Sequence, residues 1–251
     1  MKLFKSLLQQ KRPLIGTFLQ LPSPEVAEIF GFCGFDFVII DNEHGVIGPA
    51  ATLAMARAAE ASGACAVIRT PDFEETHIKK ALDVGPGALL CPGVQSAEDV
   101  RRVLRFSKYA PLGTRGACPG VRANYYGAEG ASFYRRANEE VAILVQIEGA
   151  GAYREIDEIL SIDGLDGILL GPVDLSMSLG HPGEVDHPEV VAAMEDIFSR
   201  AKAKGVAVAT FAMDIASARM WVDRGVDFLA YHIDGMLLRE SISAIPAALV
   251  V

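Results

Sequence analysis

Two carboxylates define the chemistry this chain could perform. Glu148 ends the apolar run VAILVQIEG (residues 141–149), and Asp174 follows the apolar run and Gly-Pro turn of GILLGPVDLS (residues 167–176). Strand side chains alternate between faces, so Gln146 and Glu148 share one face. A carboxylate at the end of a buried strand costs several kcal/mol, or shifts its pKa, unless a cation meets it. Two of them on strands that could be neighbours make a candidate site for Mg²⁺, Mn²⁺ or Co²⁺, hard divalent ions bound through oxygen with positions left for water.

Two further strand ends carry groups that suit such an ion: IDNEHG (residues 40–45) brings His44, and VIRT (residues 67–70) brings Arg69. The ion, as a Lewis acid, would polarise a substrate carbonyl. Arg69 would place a fixed cation beside the developing enolate oxygen. His44, whose ordinary pKa lies near neutrality, would move protons. Backbone N–H groups at Val173 and Asp174 could hold a substrate carboxylate. Together these groups suggest metal-assisted enolisation. Each residue also has a purely structural alternative. Glu148 could pair with Arg69 across the mouth of the fold, and Asp174 could cap a turn. His44 could be satisfied by Asp41 or Glu43, Arg69 could neutralise an acidic rim, and Gln146 could be a buried amide. His77, His181 and His187 are expected to be structural, with His232 less clear.

These groups need a scaffold that gathers strand ends. Apolar runs predict strands at Leu14–Leu19, Phe35–Asp41, Cys65–Arg69, Ala88–Pro92, Val141–Gly149, Gly167–Gly171, Val206–Thr210 and Phe228–Tyr231. Amphipathic stretches between them predict helices at Pro24–Cys33, Pro49–Ser62, Glu74–Leu82, Ala97–Ser107, Tyr153–Leu160, Pro188–Lys204, Ile215–Arg224 and Met236–Ser243. Eight strand–helix units predict a (β/α)8 TIM barrel of the α/β class, with the active site at the C-terminal ends of the strands. A doubly wound open sheet is the alternative, weakened by the lack of GxGxxG after the first strand. The long interruption Pro111–Asn138, which contains GTRGACPGVRANYYG, has the length of a lid or binding loop, on a side of the barrel that sequence leaves open.

At 251 residues the chain suits one such barrel, expected as a single domain over residues 1–251. It is 51% hydrophobic and 22% charged, which marks a globular chain, and its net charge of −9 argues against nucleic acid as a partner. Cys33, Cys65, Cys91 and Cys118 form no CxxC pair and are expected as reduced thiols. The N-terminal stretch lacks a long apolar core and a cleavage site, and no apolar run approaches the ~20 residues that span a bilayer. The expectation is a cytoplasmic protein with no membrane partner.

IDNEHG, VIRT, LDVG, GTRG, VQIE and GPVDLS, in this order and spacing, resemble the motifs of the class II, metal-dependent HpcH/HpaI aldolases. The resemblance covers nearly the whole chain. It implies a (β/α)8 fold and reversible cleavage of 4-hydroxy-2-oxo acids to pyruvate and an aldehyde. It also implies a homo-oligomer, a hexamer built from trimers, with the last helix exchanged between subunits. By position, it implies that Glu148 and Asp174 bind the divalent metal, and that Gln146 and the backbone at Val173 and Asp174 contact pyruvate. Arg69 would stabilise the enolate and His44 would be the acid/base. Asp83 of LDVG, on its own a residue of a helix C-terminal turn, corresponds to an aspartate that reaches His44 from a neighbouring subunit. Three features depart from the family pattern and are expected to border the aldehyde side: Tyr231 and His232 in AYHIDG, Tyr125 and Tyr126, and Phe211. The competing activities are a citramalyl- or malyl-CoA lyase and an oxaloacetate decarboxylase, which passes through the same enolate. A non-catalytic oligomeric barrel is the competing reading outside enzymes.

Overall fold

The apolar runs are buried on both faces, as strands of an all-parallel sheet must be. The computed structural model describes residues 3–249, so the ends of the expected 1–251 span lie outside the described residues. Strands β1 (Leu14–Leu19), β2 (Phe37–Asp41), β3 (Cys65–Arg69), β4 (Ala88–Cys91), β5 (Ala142–Ile147), β6 (Gly167–Leu170), β7 (Ala207–Ala212) and β8 (Phe228–Ile233) pair in chain order, and β8 closes on β1. This closed barrel is the (β/α)8 fold, and the closure excludes the open sheet.

The helices are α1 (Phe4–Leu8), α2 (Pro24–Phe32), α3 (Pro49–Ala61), α4 (Glu75–Val84), α5 (Ala97–Ser107), α6 (Ser132–Glu140), α7 (Ala150–Arg154), α8 (Ile156–Ile159), α9 (Pro172–Ser178), α10 (Pro188–Lys204), α11 (Ile215–Arg224), α12 (Asp234–Ser243) and α13 (Ile245–Leu249). Local chemistry starts and stops several of them. Ser23, Ser96 and Asp214 accept backbone N–H bonds at the starts of α2, α5 and α11. Gly85, Gly205 and Gly225 take the left-handed conformation that ends α4, α10 and α11.

Inside the barrel, side chains of alternate parity form the core: Leu14 and Phe18, Phe37 and Ile39, Cys65 and Val67, Ala142 and Leu144, Phe228 and Ala230. The bottom is closed by α1, which the sequence reading left without structure. Phe4 packs edge-on against Phe37 and Phe228, with centroids 5.4 and 5.2 Å away.

Three expectations are corrected. The single helix at Tyr153–Leu160 is two short helices, α7 and α8. The Gly-Pro turn after β6 starts a seven-residue helix, α9, with proline at a position where its missing N–H is not needed. The segment 111–138 connects the end of α5 to the start of β5, so it lies at the N-terminal end of the strands. It folds as a 3-10 turn (Arg122–Gly127) leading into α6. Arg122 bonds Glu60 at 2.7 Å and Arg115 bonds Asp83 at 2.8 Å, which ties the segment to the C-terminal ends of α3 and α4. Tyr126 accepts a bond from Arg57 in α3. Within one chain, Tyr125 and Tyr126 therefore lie at the opposite end of the barrel from the expected aldehyde side.

The top of β8 carries an irregularity. Gly16 pairs with Ala230 but Phe18 pairs with Ile233, so Thr17 faces two residues of β8. This is a β-bulge. His232 sits in it with φ +63°, and its carbonyl accepts a bond from Thr17 Oγ1 at 3.3 Å.

Candidate active site

The parity that fills the core continues upward and delivers polar residues to the C-terminal rim. In β2 and β3, Asp41 stands opposite Arg69. Arg69 Nε and Nη2 donate to Asp41 Oδ1 and Oδ2 at 2.8 and 2.7 Å, a two-pronged pair in which Asp41 is fully buried. Arg69 Nη1 lies 2.9 Å from Glu43 Oε2 and donates to Gln146 Oε1 at 3.3 Å. The guanidinium also stacks on Phe18, with Cζ 4.7 Å from the ring centroid. Every direction in which Arg69 could swing is held.

Asp41 also organises the loop that follows. It accepts from Gln20 Nε2 at 2.8 Å and from the backbone N–H groups of Glu43 and His44 at 3.1 and 3.2 Å. Burial works against its charge, but Arg69, Gln20 and the His44 N–H together hold its carboxyl below the usual carboxylate range. The imidazole of His44 is exposed and points at the cavity, its Nε2 3.8 Å from Glu43 Oε2. The structural alternative of a Glu148–Arg69 bridge is not what holds the arginine; Asp41 fills that place.

Glu148 has different partners. Its Oε1 accepts from the Gly93 N–H at 2.7 Å, and its Oε2 from the Gln146 amide. Burial pushes its carboxyl up to about 7; the Gly93 bond opposes this, and the charges of Glu43 and Asp174 reinforce it. Glu43 is raised as well, first by burial, and its Oε2 is buried with no well-aligned hydrogen bond. Asp41, Glu43, Glu148 and Asp174 thus face a single guanidinium. Oxygen donors in excess, one of them poorly satisfied, fit a hard divalent cation. Gly171 is required here, because a Cβ would stand 2.9 Å from Glu148 Cβ and 2.9 Å from Gln146 Nε2.

Asp174 occupies the first turn of α9 and is solvent-exposed, as is Val173. His44, Arg69, Gln146, Val173, Asp174 and Gln20 line one cavity of about 350 Å³, with Phe18, Phe211 and Ile233 as its apolar side chains. Phe211 meets Phe18 edge-on at 5.7 Å. So the structure brings His44, Arg69, Gln146, Val173 and Asp174 together, with Glu148 packed against Gly171 beside them.

Three predicted residues behave otherwise. Asp83, in the last turn of α4, is at the far end of the barrel and pairs with Arg115. His232 is turned out of the cavity by the bulge, which presents Ile233 instead; it is buried, with Nε2 3.3 Å from Glu240 on α12. Tyr231 also lies outside the cavity lining. Sequence reasoning placed Asp41 and Glu43 only as partners of His44, not of Arg69, and missed Gln20. Two-residue parity was the available signal: Asp41 follows Phe37 and Ile39 on the inward face of β2, and Gln20 follows Phe18.

Comparison with known proteins places the family and the fold. The family model described as HpcH/HpaI aldolase/citrate lyase matches residues 14–241. A hydroxypyruvate/pyruvate aldolase of Sagittula stellata is 38% identical over 238 residues, covering 95% of this chain and 94% of that protein. A 5-keto-4-deoxy-D-glucarate aldolase of Escherichia coli is 34% identical, covering 95% of this chain and 93% of its own length. The crystal structure of an HpcH/HpaI aldolase/citrate lyase family protein from Burkholderia cenocepacia superposes with a TM-score of 0.91 at 33% identity, covering 97% of this chain and 98% of that one.

Proposed function

The chain belongs to the HpcH/HpaI aldolase/citrate lyase family, and from that premise we propose how its cavity works as the site of a class II pyruvate aldolase. The reaction is the reversible cleavage of a 4-hydroxy-2-oxo acid to pyruvate, or a close analogue such as hydroxypyruvate, and an aldehyde. The observation that carries this reading is the clamped guanidinium of Arg69 beside Gln146 and Glu148 on one inward-facing rim.

Glu148 and Asp174 would hold the divalent ion, with Mg²⁺, Mn²⁺ and Co²⁺ all compatible with a set of oxygen donors. When bound, the ion would supply Lewis-acid polarisation of the 2-oxo group. Arg69, fixed by Asp41 and by the Phe18 ring, offers the Nη2 N–H that Asp41 does not take to the oxygen that gains negative charge. Because the donors are already aligned, no reorganisation is needed as the enolate forms. Gln146 and the backbone N–H groups of Val173 and Asp174, unpaired at the start of α9, orient the 2-oxo acid and its carboxylate. In the cleavage direction, His44 takes the proton of the C4 hydroxyl as the C3–C4 bond breaks. The bonding pair enters the enolate, the aldehyde leaves, and C3 is then protonated to give pyruvate.

The apolar side of the cavity receives the aldehyde, with Phe18, Phe211 and Ile233 limiting its width. Assembly into trimers or hexamers completes the site in this reading: Asp83 of one subunit would serve His44 of the next. Exposed Leu238 and Ile242 on α12 and Ile245 and Leu249 on α13 support an exchanged C-terminal helix, since each is at least half exposed in the single chain.

The test is proton NMR of pyruvate in D₂O with the enzyme and Mg²⁺, Mn²⁺ or Co²⁺, repeated with EDTA. Metal-dependent loss of the methyl signal is expected. Absence of exchange with every metal would overturn the pyruvate half of the reading in favour of a CoA-thioester substrate.

A further inference from the structure

The loop between α9 and α10 carries HPGEVDH, residues 181–187, on the same end of the barrel as the cavity. It is tied to α9 by two bonds from Ser176: its carbonyl accepts from the His181 N–H at 2.8 Å and its Oγ from the Gly183 N–H at 3.1 Å. Two further turns, Glu184 N–H to the His181 carbonyl and His187 N–H to the Glu184 carbonyl, each at 3.0 Å, curl the loop so that residues three apart meet. As a result one donor atom from each of His181, Glu184 and His187 lies within 4.8 Å of the other two. No other group of three such side chains is this close among the described residues.

We propose that His181, Glu184 and His187 form a second metal site, separate from the catalytic cavity and selective for a borderline transition ion such as Zn²⁺. The two imidazoles are stacked with centroids 3.4 Å apart and planes 17° from parallel. Stacked rings carry their in-plane lone pairs side by side, so both nitrogens meet one ion once one ring turns about its Cβ–Cγ bond. His181 Nε2 lies 2.8 Å from Glu189 Oε2. A carboxylate on one ring nitrogen fixes the tautomer and leaves Nδ1 with its lone pair, the arrangement that orients metal-ligating histidines. Glu184 is exposed, and its carboxylate has no hydrogen bond or ion pair with the described residues. His187 Nδ1 accepts only a long 3.3 Å bond from the Glu189 N–H, which an ion could displace.

The donor set decides the ion. Two imidazoles and one carboxylate suit Zn²⁺, with a fourth position open to solvent, and disfavour Mg²⁺, which prefers oxygen alone. The catalytic cavity has the opposite character, so one protein would carry two ions of different hardness. Because Ser176 lies two residues beyond Asp174, the loop ion would brace the short helix that positions Asp174.

The purified protein, stripped with chelator, is titrated with Zn²⁺ in excess Mg²⁺, and binding is followed by calorimetry. The wild type should take one Zn²⁺ per chain at this loop, and Glu148→Ala should retain it while losing turnover. His181→Gln with His187→Gln should abolish it. Glu184→Gln, which disturbs no helix cap, should weaken it by about ten- to hundredfold. X-ray absorption of the bound Zn²⁺ should show two imidazoles. Unchanged stoichiometry and affinity in the double variant and in Glu184→Gln would overturn the site, as would a wild type that takes no Zn²⁺ under these conditions. Failure of the NMR test with these results intact would count against the aldolase reading alone.

Discussion

Glu148→Gln should make the metal-free protein gain stability relative to the wild type as pH rises, while removing its activity. Burial raises the Glu148 carboxyl from an ordinary 4.5 to about 7. A group with a raised pKa in the folded state makes no demand below its unfolded pKa, because both states hold the proton. As pH rises from there, the unfolded chain releases the proton while the folded chain keeps it, and stability falls. The loss is complete once pH passes the folded value. A shift of about two and a half units corresponds to roughly 3 kcal/mol at 1.36 kcal/mol per unit. For a chain of this size that is about 6–12 °C in Tm. Glutamine cannot ionise, so the variant escapes this loss. It also puts an NH₂ where the Gln146 amide now donates, which costs stability equally at every pH. The quantity to measure is therefore the change with pH in the Tm difference between variant and wild type, by thermal denaturation in EDTA from about pH 5 to about pH 8. The difference should move in favour of the variant by several degrees, and saturating Mn²⁺ should remove the movement by stabilising the wild-type carboxylate. A difference that stays flat across this range would refute the account of Glu148 as a strained, cation-seeking carboxylate.

Arg69→Lys should lower kcat by about 10²–10³-fold, because a lysine cannot grip Asp41 with two prongs and still reach the cavity; a loss under tenfold in steady-state assays would count against the clamped guanidinium. His44→Ala should cost about 10²–10⁴-fold in turnover, and near-wild-type rates would return His44 to a loop role. Gly171→Ala should weaken metal binding by at least about tenfold in a titration, since its methyl would displace Glu148 and Gln146 together. Unaltered affinity would show that the two side chains can retreat without consequence. Asp83→Asn should reduce kcat without dissolving the oligomer, checked by sizing alongside kinetics; a fully active single-subunit species would refute the shared site.

The strands were legible because each is a short, mostly apolar run, and their ends were placed within a few residues; β1, β3, α5, α10 and α11 match their expected bounds. The same legibility extended to His44, Arg69, Gln146, Val173 and Asp174, which ride on strand ends or just beyond them. What escaped has a common cause: local patterns do not record long-range partners. Phe4 and Leu7 read as an unremarkable basic N-terminus, yet they fill the barrel floor. Asp41 was visible beside His44, but only the β2–β3 register shows that it, and not Glu148, takes the arginine. The side of the barrel occupied by 111–138 follows from its place between α5 and β5, whereas the helix ends that Arg115 and Arg122 reach became visible only in the fold. His181 and His187 read as ordinary loop residues because their approach depends on the turns between them.

The bulge at the top of β8 acts on the cavity wall as a frameshift acts on a message. Below Ala230 the inward and outward positions follow β1 in step; above it, one extra residue reverses the frame, so Ile233 faces the cavity and His232 faces α12. The bulge and the residue it delivers can be altered separately. Substituting Ile233 changes the size of one side chain in the wall, whereas deleting one of the two bulged residues would remove the irregularity and still leave Ile233 opposite Phe18. If the deleted residue were His232, Glu240 would lose its buried histidine partner, which links the bulge to the seating of the C-terminal helix.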